Sequence, residues 1–156
     1  DMLLDVAERI DAKFLMIGKN LSELEKEAER RRIENKFIFL GFVKHEEVPK
    51  FISAADVCVA PYKLTKEMGK HGFYFSPIKI FEYMACGKPV VASDLEIIRG
   101  IIENKCGLLA KPNAEDFAEK TLMLLKDVKL SKKLGESSKK AVKKYTWDKV
   151  VDVVLR

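Results

Sequence analysis

The stretch Ser76-Pro77-Ile78-Lys79-Ile80-Phe81-Glu82 carries two side chains able to do chemistry, Lys79 and Glu82, three positions apart on an expected helix. Ser76 reads as the N-cap and Pro77 as the first helical residue. Gly87 reads as the helix stop, and Pro89-Val90-Val91-Ala92 as a short apolar strand behind it. A helix start presents unpaired N–H groups and partial positive charge, which favour an anion such as phosphate. At a rise of about 1.5 Å per residue, Glu82 falls roughly 7 to 8 Å beyond Pro77. That span is comparable to the reach from the phosphates of a nucleotide to its ribose hydroxyls. A carboxylate can accept two hydrogen bonds from a vicinal diol. Lys79, one turn earlier on the same face, can offset phosphate charge or pair with Glu82. Spacing alone therefore leaves two readings open: a nucleotide clamp, or an exposed ion pair beside an ordinary helix start.

The elements around this stretch alternate. Met2, Leu3, Val6, Ala7 and Ile10 fall at helical spacing, and Lys13 to Ile17 is a compact apolar strand. Ser22 to Arg32 reads as a polar helix, Phe37 to Leu40 as a strand, and His45 to Ala55 as a short helix with Pro49 near its first turn. Asp56 to Ala60 reads as a third strand, ended by Pro61. A polar segment, Tyr62 to Phe75, is too long for a minimal connector. After the Ser76 helix and its strand come a helix near Glu96 to Glu103 and a strand from Gly107 to Ala110. Helices are expected over Ala114 to Leu125, Leu130 to Lys144 and Trp147 to Leu155, so that 130–155 forms a helical C-terminal end. Continuous apolar strands alternating with helices indicate an α/β fold, a doubly wound parallel sheet flanked by helices. Ligands of such sheets bind at the carboxyl ends of the strands. That rim carries Gly18, Gly41-Phe42-Val43, Pro61, Ser93-Asp94 and the start of the Ser76 helix.

Composition narrows the classes. The chain has 156 residues, enough for one domain with a sizeable core, and we read 1–156 as a single unit. Its charged fraction of 34% exceeds the usual quarter and is rich in Lys and Glu, a bias found in proteins that work hot. A net charge of +5 keeps nucleic acid, anionic membrane and phosphorylated substrates in view. The basic runs at Arg30-Arg31-Arg32 and Lys126 to Lys144 interleave with acids, as solvated helix faces do. Cys58, Cys86 and Cys106 are odd in number and show no C-x-x-C spacing, which argues for reduced thiols and against metal or disulfide frameworks. No apolar run approaches the roughly 18 residues of a membrane span. P-loop, dinucleotide-fingerprint and nucleophile-elbow motifs do not occur, so hydride transfer and P-loop hydrolysis drop out. His45 and His71 read as surface or loop residues, Cys86 as packing, and Tyr145 and Trp147 as anchors of the last helix.

Three segments in this order resemble one family. Phe37-Ile38-Phe39-Leu40-Gly41-Phe42-Val43, Ala54-Ala55-Asp56-Val57-Cys58-Val59-Ala60-Pro61, and Lys79-x-x-Glu82-Tyr83-Met84-Ala85-Cys86-Gly87-Lys88-Pro89-Val90-Val91-Ala92 resemble the C-terminal domain of family-4 (group 1) retaining glycosyltransferases. Gly107-Leu108-Leu109 and Tyr145-Thr146-Trp147 are similar to the family's tail. The resemblance implies a Rossmann-like domain forming the C-terminal half of a GT-B fold, with the N-terminal domain and the first strand of this domain outside the sequence. It implies binding of a nucleoside-diphosphate sugar donor and retaining transfer of a hexosyl group to an acceptor sugar or lipid-linked glycan held by the other domain. It places Glu82 on the ribose, the backbone of Phe42 and Val43 at the base, and amides near Ser76, Pro77 and Ile78 at the diphosphate; with Gly41 beside the base loop and Lys79 assigned to phosphate from its helix position, these form the expected donor site. It implies no cofactor and no metal, and assigns no residue as catalytic acid or base.

Two departures accompany the likeness. Tyr74 stands where the family's E-x7-E motif has its first glutamate, and the strand that carries the family's phosphate-binding Arg and Lys precedes Asp1. The isolated chain is therefore expected to bind donor weakly and not to transfer sugar. A cytoplasmic location is expected, with attachment to the inner face of a membrane left open for the parent, and no nucleic-acid partner. The alternatives are a nucleotide-sugar epimerase of the same architecture and a non-enzymatic nucleotide- or nucleic-acid-binding module.

Overall fold

Apolar residues at helical spacing put Met2, Leu4, Val6 and Ala7 of helix α1 (Met2–Arg9) into the core, and Ile10 follows them. The structure is a computed structural model that describes residues 2–62, 76–102, 105–146 and 151. Strand β1 (Phe14–Ile17) comes next, then α2 (Ser22–Arg30), β2 (Phe37–Gly41), α3 (Val48–Ala54) and β3 (Cys58–Ala60). The second half runs α4 (Ile78–Ala85), β4 (Val90–Ser93), α5 (Glu96–Ile102), β5 (Gly107–Ala110), α6 (Ala114–Lys126) and α7 (Val128–Ala141). Short 3₁₀ turns cover Glu34–Lys36 and Val142–Lys144.

Every pairing among the described strands is parallel. β1 lies beside β2 with Phe14 opposite Phe37 and Met16 opposite Phe39, and an irregularity follows Met16. In the second ladder β4 lies between β3 and β5, with Cys58 opposite Val90 and Val90 opposite Gly107. All four residues of β4 are buried, as expected of a strand covered on both faces. Alternation along β4 splits the core in two. Val91 joins a cluster with α1, Phe14, Phe37, Phe117 and Leu124, whereas Val90 and Ala92 join Ile80 and Met84 of α4 and Ile98 and Ile102 of α5. Parallel strands with helices packed on both faces make a Rossmann-like α/β fold.

The structure departs from the sequence-based expectation in several places. No ladder among the described residues joins β1 to β3, so the expected sheet is present as two ladders. Val57 and Val59 nonetheless pack against the cluster that contains Phe14 and Phe37. On β2 only alternate residues are covered: Phe37 is buried while Ile38 and Leu40 are exposed. The third strand starts at Cys58 rather than Asp56, and α3 starts at Val48 because His45 to Glu47 form a turn before Pro49. Tyr74, His71, Trp147 and the expected last helix apart from Val151 lie outside the described residues.

The far end of α4 is locked by glycine. Gly87 has φ of 69°, and its N–H donates to the Met84 carbonyl while Lys88 N–H reaches that of Tyr83. Helix α7 crosses at this turn so closely that a Cβ on Gly135 would sit 2.2 Å from the Gly87 carbonyl oxygen. The axis of α4, and with it the aim of Lys79 and Glu82, is thus set against α7.

Candidate functional site

The rim at the carboxyl ends of the strands is tied together locally. Gly18 N–H donates to the Gly41 carbonyl at 2.9 Å, joining the ends of β1 and β2. Beyond Gly41, Phe42 projects with 67% of its surface exposed, and the Lys19 ammonium lies 5.1 Å from its ring centroid. Val43 is half-buried beside it. Just after β3, Tyr62 is held by the fully buried Ser93 hydroxyl at the end of β4, which accepts from Tyr62 N–H at 2.7 Å and donates to the Tyr62 carbonyl at 2.8 Å. After β4, Asp94 N–H donates to the Ala110 carbonyl, and the Arg99 guanidinium grips the Asp94 carboxylate with two hydrogen bonds. That guanidinium holds the Asp94 carboxyl below the usual carboxylate range.

Helix α4 starts on this rim. Its first residue is Ile78, with Pro77 at the N-cap and no side-chain cap bond, so Ser76 is not the side-chain cap that its type predicts. Ser76 acts through its backbone instead: its carbonyl accepts from Ile78 N–H at 2.9 Å, and the Pro77 carbonyl accepts from Ile80 N–H at 2.9 Å. Proline's fixed φ explains the tight turn, and its lack of an N–H leaves Pro77 no amide to offer a ligand. Pro77 itself is buried, while Ser76 and Ile78 are exposed.

Lys79 and Glu82 follow on the same helix without pairing. The Lys79 ammonium lies 5.0 Å from the centroid of the Tyr62 ring and makes no ion pair among the described residues. Lys79 is exposed, yet the atoms packed around its ammonium remove enough water to lower its pKa below the ordinary lysine value. The Glu82 carboxylate keeps 32% of its side-chain surface exposed and lies 3.8 Å from Nδ1 of His45, on the turn after β2. The rim thus brings two of its parts together: the loop after β2 reaches Glu82 through His45, and Lys79 stands one turn nearer the helix start.

The sequence does not single out His45 or Tyr62, and it places Ser93 on the rim without its partner. His45, read as a surface residue, is exposed but faces Glu82 from 37 positions away. Tyr62 and Ser93 are joined across 31 positions. The parallel register that places Ala60 beside Ala92, carried one residue further, puts Pro61 opposite Ser93, with Tyr62 next in line. No comparable signal exists for His45.

Burial elsewhere in the domain produces inert groups. The Cys58 thiol is pushed up to about 12 by burial, which keeps it protonated and unreactive. Tyr83, on the inner side of α4, has its hydroxyl pKa raised by the same cause. Among the described residues no helix is long and apolar enough to cross a membrane.

Comparison with known proteins agrees with this architecture. The family model described as glycosyl transferases group 1 matches residues 1–127. An uncharacterized glycosyltransferase of Methanocaldococcus jannaschii is 34% identical, in an alignment that takes in 97% of this chain and 41% of that protein. The C-terminal domain of a group 1 family glycosyl transferase from Francisella tularensis superimposes with a TM-score of 0.73 at 23% identity, covering 94% of this chain and 78% of that one. Anabaena HepE, solved in complex with UDP, superimposes with a TM-score of 0.79 at 21% identity, covering 96% of this chain and 41% of that one. The chain thus spans about two fifths of the length of that curated relative. With the family model covering most of its length and the fold matching a C-terminal domain of the same group, the chain belongs to the group 1 glycosyltransferases.

Proposed function

We propose that this chain is the donor-binding half of a GT-B glycosyltransferase and that its rim holds a nucleoside-diphosphate sugar. Glu82 accepts hydrogen bonds from the ribose hydroxyls, and Lys79 faces the diphosphate near the turn formed by Ser76, Pro77 and Ile78. Gly41, Phe42 and Val43 border the base. The observation that carries the reading is the separation of Lys79 from Glu82. The two stand one turn apart, yet each is held by a different rim loop, the cation against Tyr62 and the acid near His45. A lysine that has lost part of its water without gaining a carboxylate favours an incoming anion. The binding of UDP by the structurally similar Anabaena protein is consistent with a diphosphate in that place.

The wider protein transfers a hexosyl group with retention of anomeric configuration to an acceptor sugar or lipid-linked glycan, held by a domain N-terminal to this one. Charge that develops on the departing diphosphate is met by oriented amides and by cations such as Lys79, with neither metal nor cofactor assigned a role. A further parallel strand lies between β1 and β3. Two observations support it: the ladders share one core cluster although no pairing links them among the described residues, and α1 enters β1 as a crossover from a parallel strand does. Titration with UDP, GDP and ADP tests donor binding and identifies the base. NMR analysis of the product formed by the two-domain protein tests transfer, with a retained glycosidic linkage expected. An isomerised donor without transfer would favour the epimerase alternative.

A further inference from the structure

We propose that Tyr62 is a positioning residue for Lys79, its ring fixing the lysine ammonium at the place where the donor's diphosphate sits. The inference rests on the reading of Lys79 as a phosphate ligand and adds the residue that aims it. The Tyr62 backbone is pinned, because both its N–H and its carbonyl are bonded to the hydroxyl of Ser93, the fully buried last residue of β4. The ring therefore projects from a point anchored in the core. Across from it, α4 brings the Lys79 ammonium to 5.0 Å from the ring centroid. A long aliphatic side chain on an open helix face would otherwise sample many rotamers, and fixing it in advance lowers the entropic cost of binding an anion.

The kind of partner matters. A carboxylate beside Lys79 would hold it and also cancel its charge. An aromatic face attracts the ammonium through its quadrupole and leaves the full positive charge, with three N–H donors, for a ligand. Glu82 is the nearest acid along the helix face, and its described neighbour is the His45 imidazole rather than Lys79. Holding depends on the ring and not on the hydroxyl, which makes the inference separable from a hydrogen-bonding role for Tyr62.

The test is calorimetric titration with whichever of UDP, GDP and ADP binds most tightly, and with its parent nucleoside. Tyr62→Phe should bind the diphosphate within about twofold of the unsubstituted protein. Tyr62→Leu should bind it about 3- to 10-fold more weakly, with nucleoside affinity unchanged. In a Lys79→Met background the leucine substitution should have no further effect. If Tyr62→Leu does not fold by circular dichroism, Tyr62→Met, of comparable bulk, takes its place. A loss of equal size in the Lys79→Met background, or a loss shared by the nucleoside, would overturn the positioning role. So would unchanged diphosphate affinity in Tyr62→Leu when Lys79→Met weakens it. Unchanged affinity in Lys79→Met itself would remove Lys79 from the phosphate site and this inference with it.

Discussion

Replacing Glu82 by alanine should weaken nucleoside-diphosphate binding through the ribose and through nothing else. A hydrogen bond to a charged group contributes roughly 1.5 to 3 kcal/mol, and two ribose hydroxyls facing one carboxylate could double that. Glu82 keeps 32% of its side-chain surface open, however, so water competes for both bonds. The pair together is therefore expected to contribute no more than one such bond would alone, about 1.5 to 3 kcal/mol. It corresponds to a loss of roughly 10- to 150-fold in affinity. Glutamine keeps a carbonyl acceptor at the same place and should lose about tenfold or less. Isothermal titration with the diphosphate and with its 2′,3′-dideoxy analogue separates the effects. The analogue lacks both hydroxyls and should bind the alanine variant and the parent alike. Glu82 lies on a half-exposed face of α4 outside both apolar clusters, so the variant should keep its fold. Unchanged affinity for the normal diphosphate, or an equal loss for the dideoxy analogue, would refute the ribose assignment.

Other outcomes follow from the same geometry. Ser93→Ala leaves the Tyr62 N–H and carbonyl without their buried partner, at a cost of about 1 to 3 kcal/mol; thermal unfolding should show a lower Tm, and diphosphate affinity should fall with it. Gly135→Ala drives a Cβ into the Gly87 carbonyl and should destabilise by about 1 to 3 kcal/mol despite the better helix propensity. In contrast, a Cβ on Gly100, an exposed position of α5, meets no atom within 4 Å, and Gly100→Ala should stabilise by roughly 0.5 to 1 kcal/mol; urea titration of the pair checks both signs. Hydrogen bonds from Arg30 and Arg31 hold the Glu27 carboxyl at about 2 rather than its ordinary 4.5. Its folded pKa is the depressed one, so its contribution to stability is present above pH 4.5 and lost as pH falls toward 2. Asp5, lowered mainly by its bond from Arg31, acts in the same direction. Urea midpoints measured from pH 6 to pH 2 should therefore fall on the acid side, and less steeply in Glu27→Gln.

The parts of the fold that depend on local chemistry were legible before any coordinates. Apolar spacing located α1 and β1, Gly87 marked the end of α4, and the apolar run at Val90 to Ala92 announced a strand covered on both sides. Ser76 misled because a serine before a proline has the composition of a side-chain cap, whereas the tight turn lets its backbone carbonyl take that role. The residues of a single strand do not announce its neighbours, so the arrangement of the described strands as ladders β1–β2 and β3–β4–β5 emerges only from the fold. Within the site, Lys79 and Glu82 could be singled out because one helix turn relates them. Their partners could not: His45 and Tyr62 reach them from other loops, and only the assembled rim makes those distances short.

A crystal structure of the protein with its nucleoside diphosphate would locate the ligand outright. The assignment of Glu82 to the ribose and Lys79 to the diphosphate requires both ribose hydroxyls within hydrogen-bonding distance of the Glu82 carboxylate, and a phosphate oxygen within reach of the Lys79 ammonium beside Tyr62. A nucleotide seated elsewhere, or one bound here with Glu82 turned away from its sugar, would contradict it.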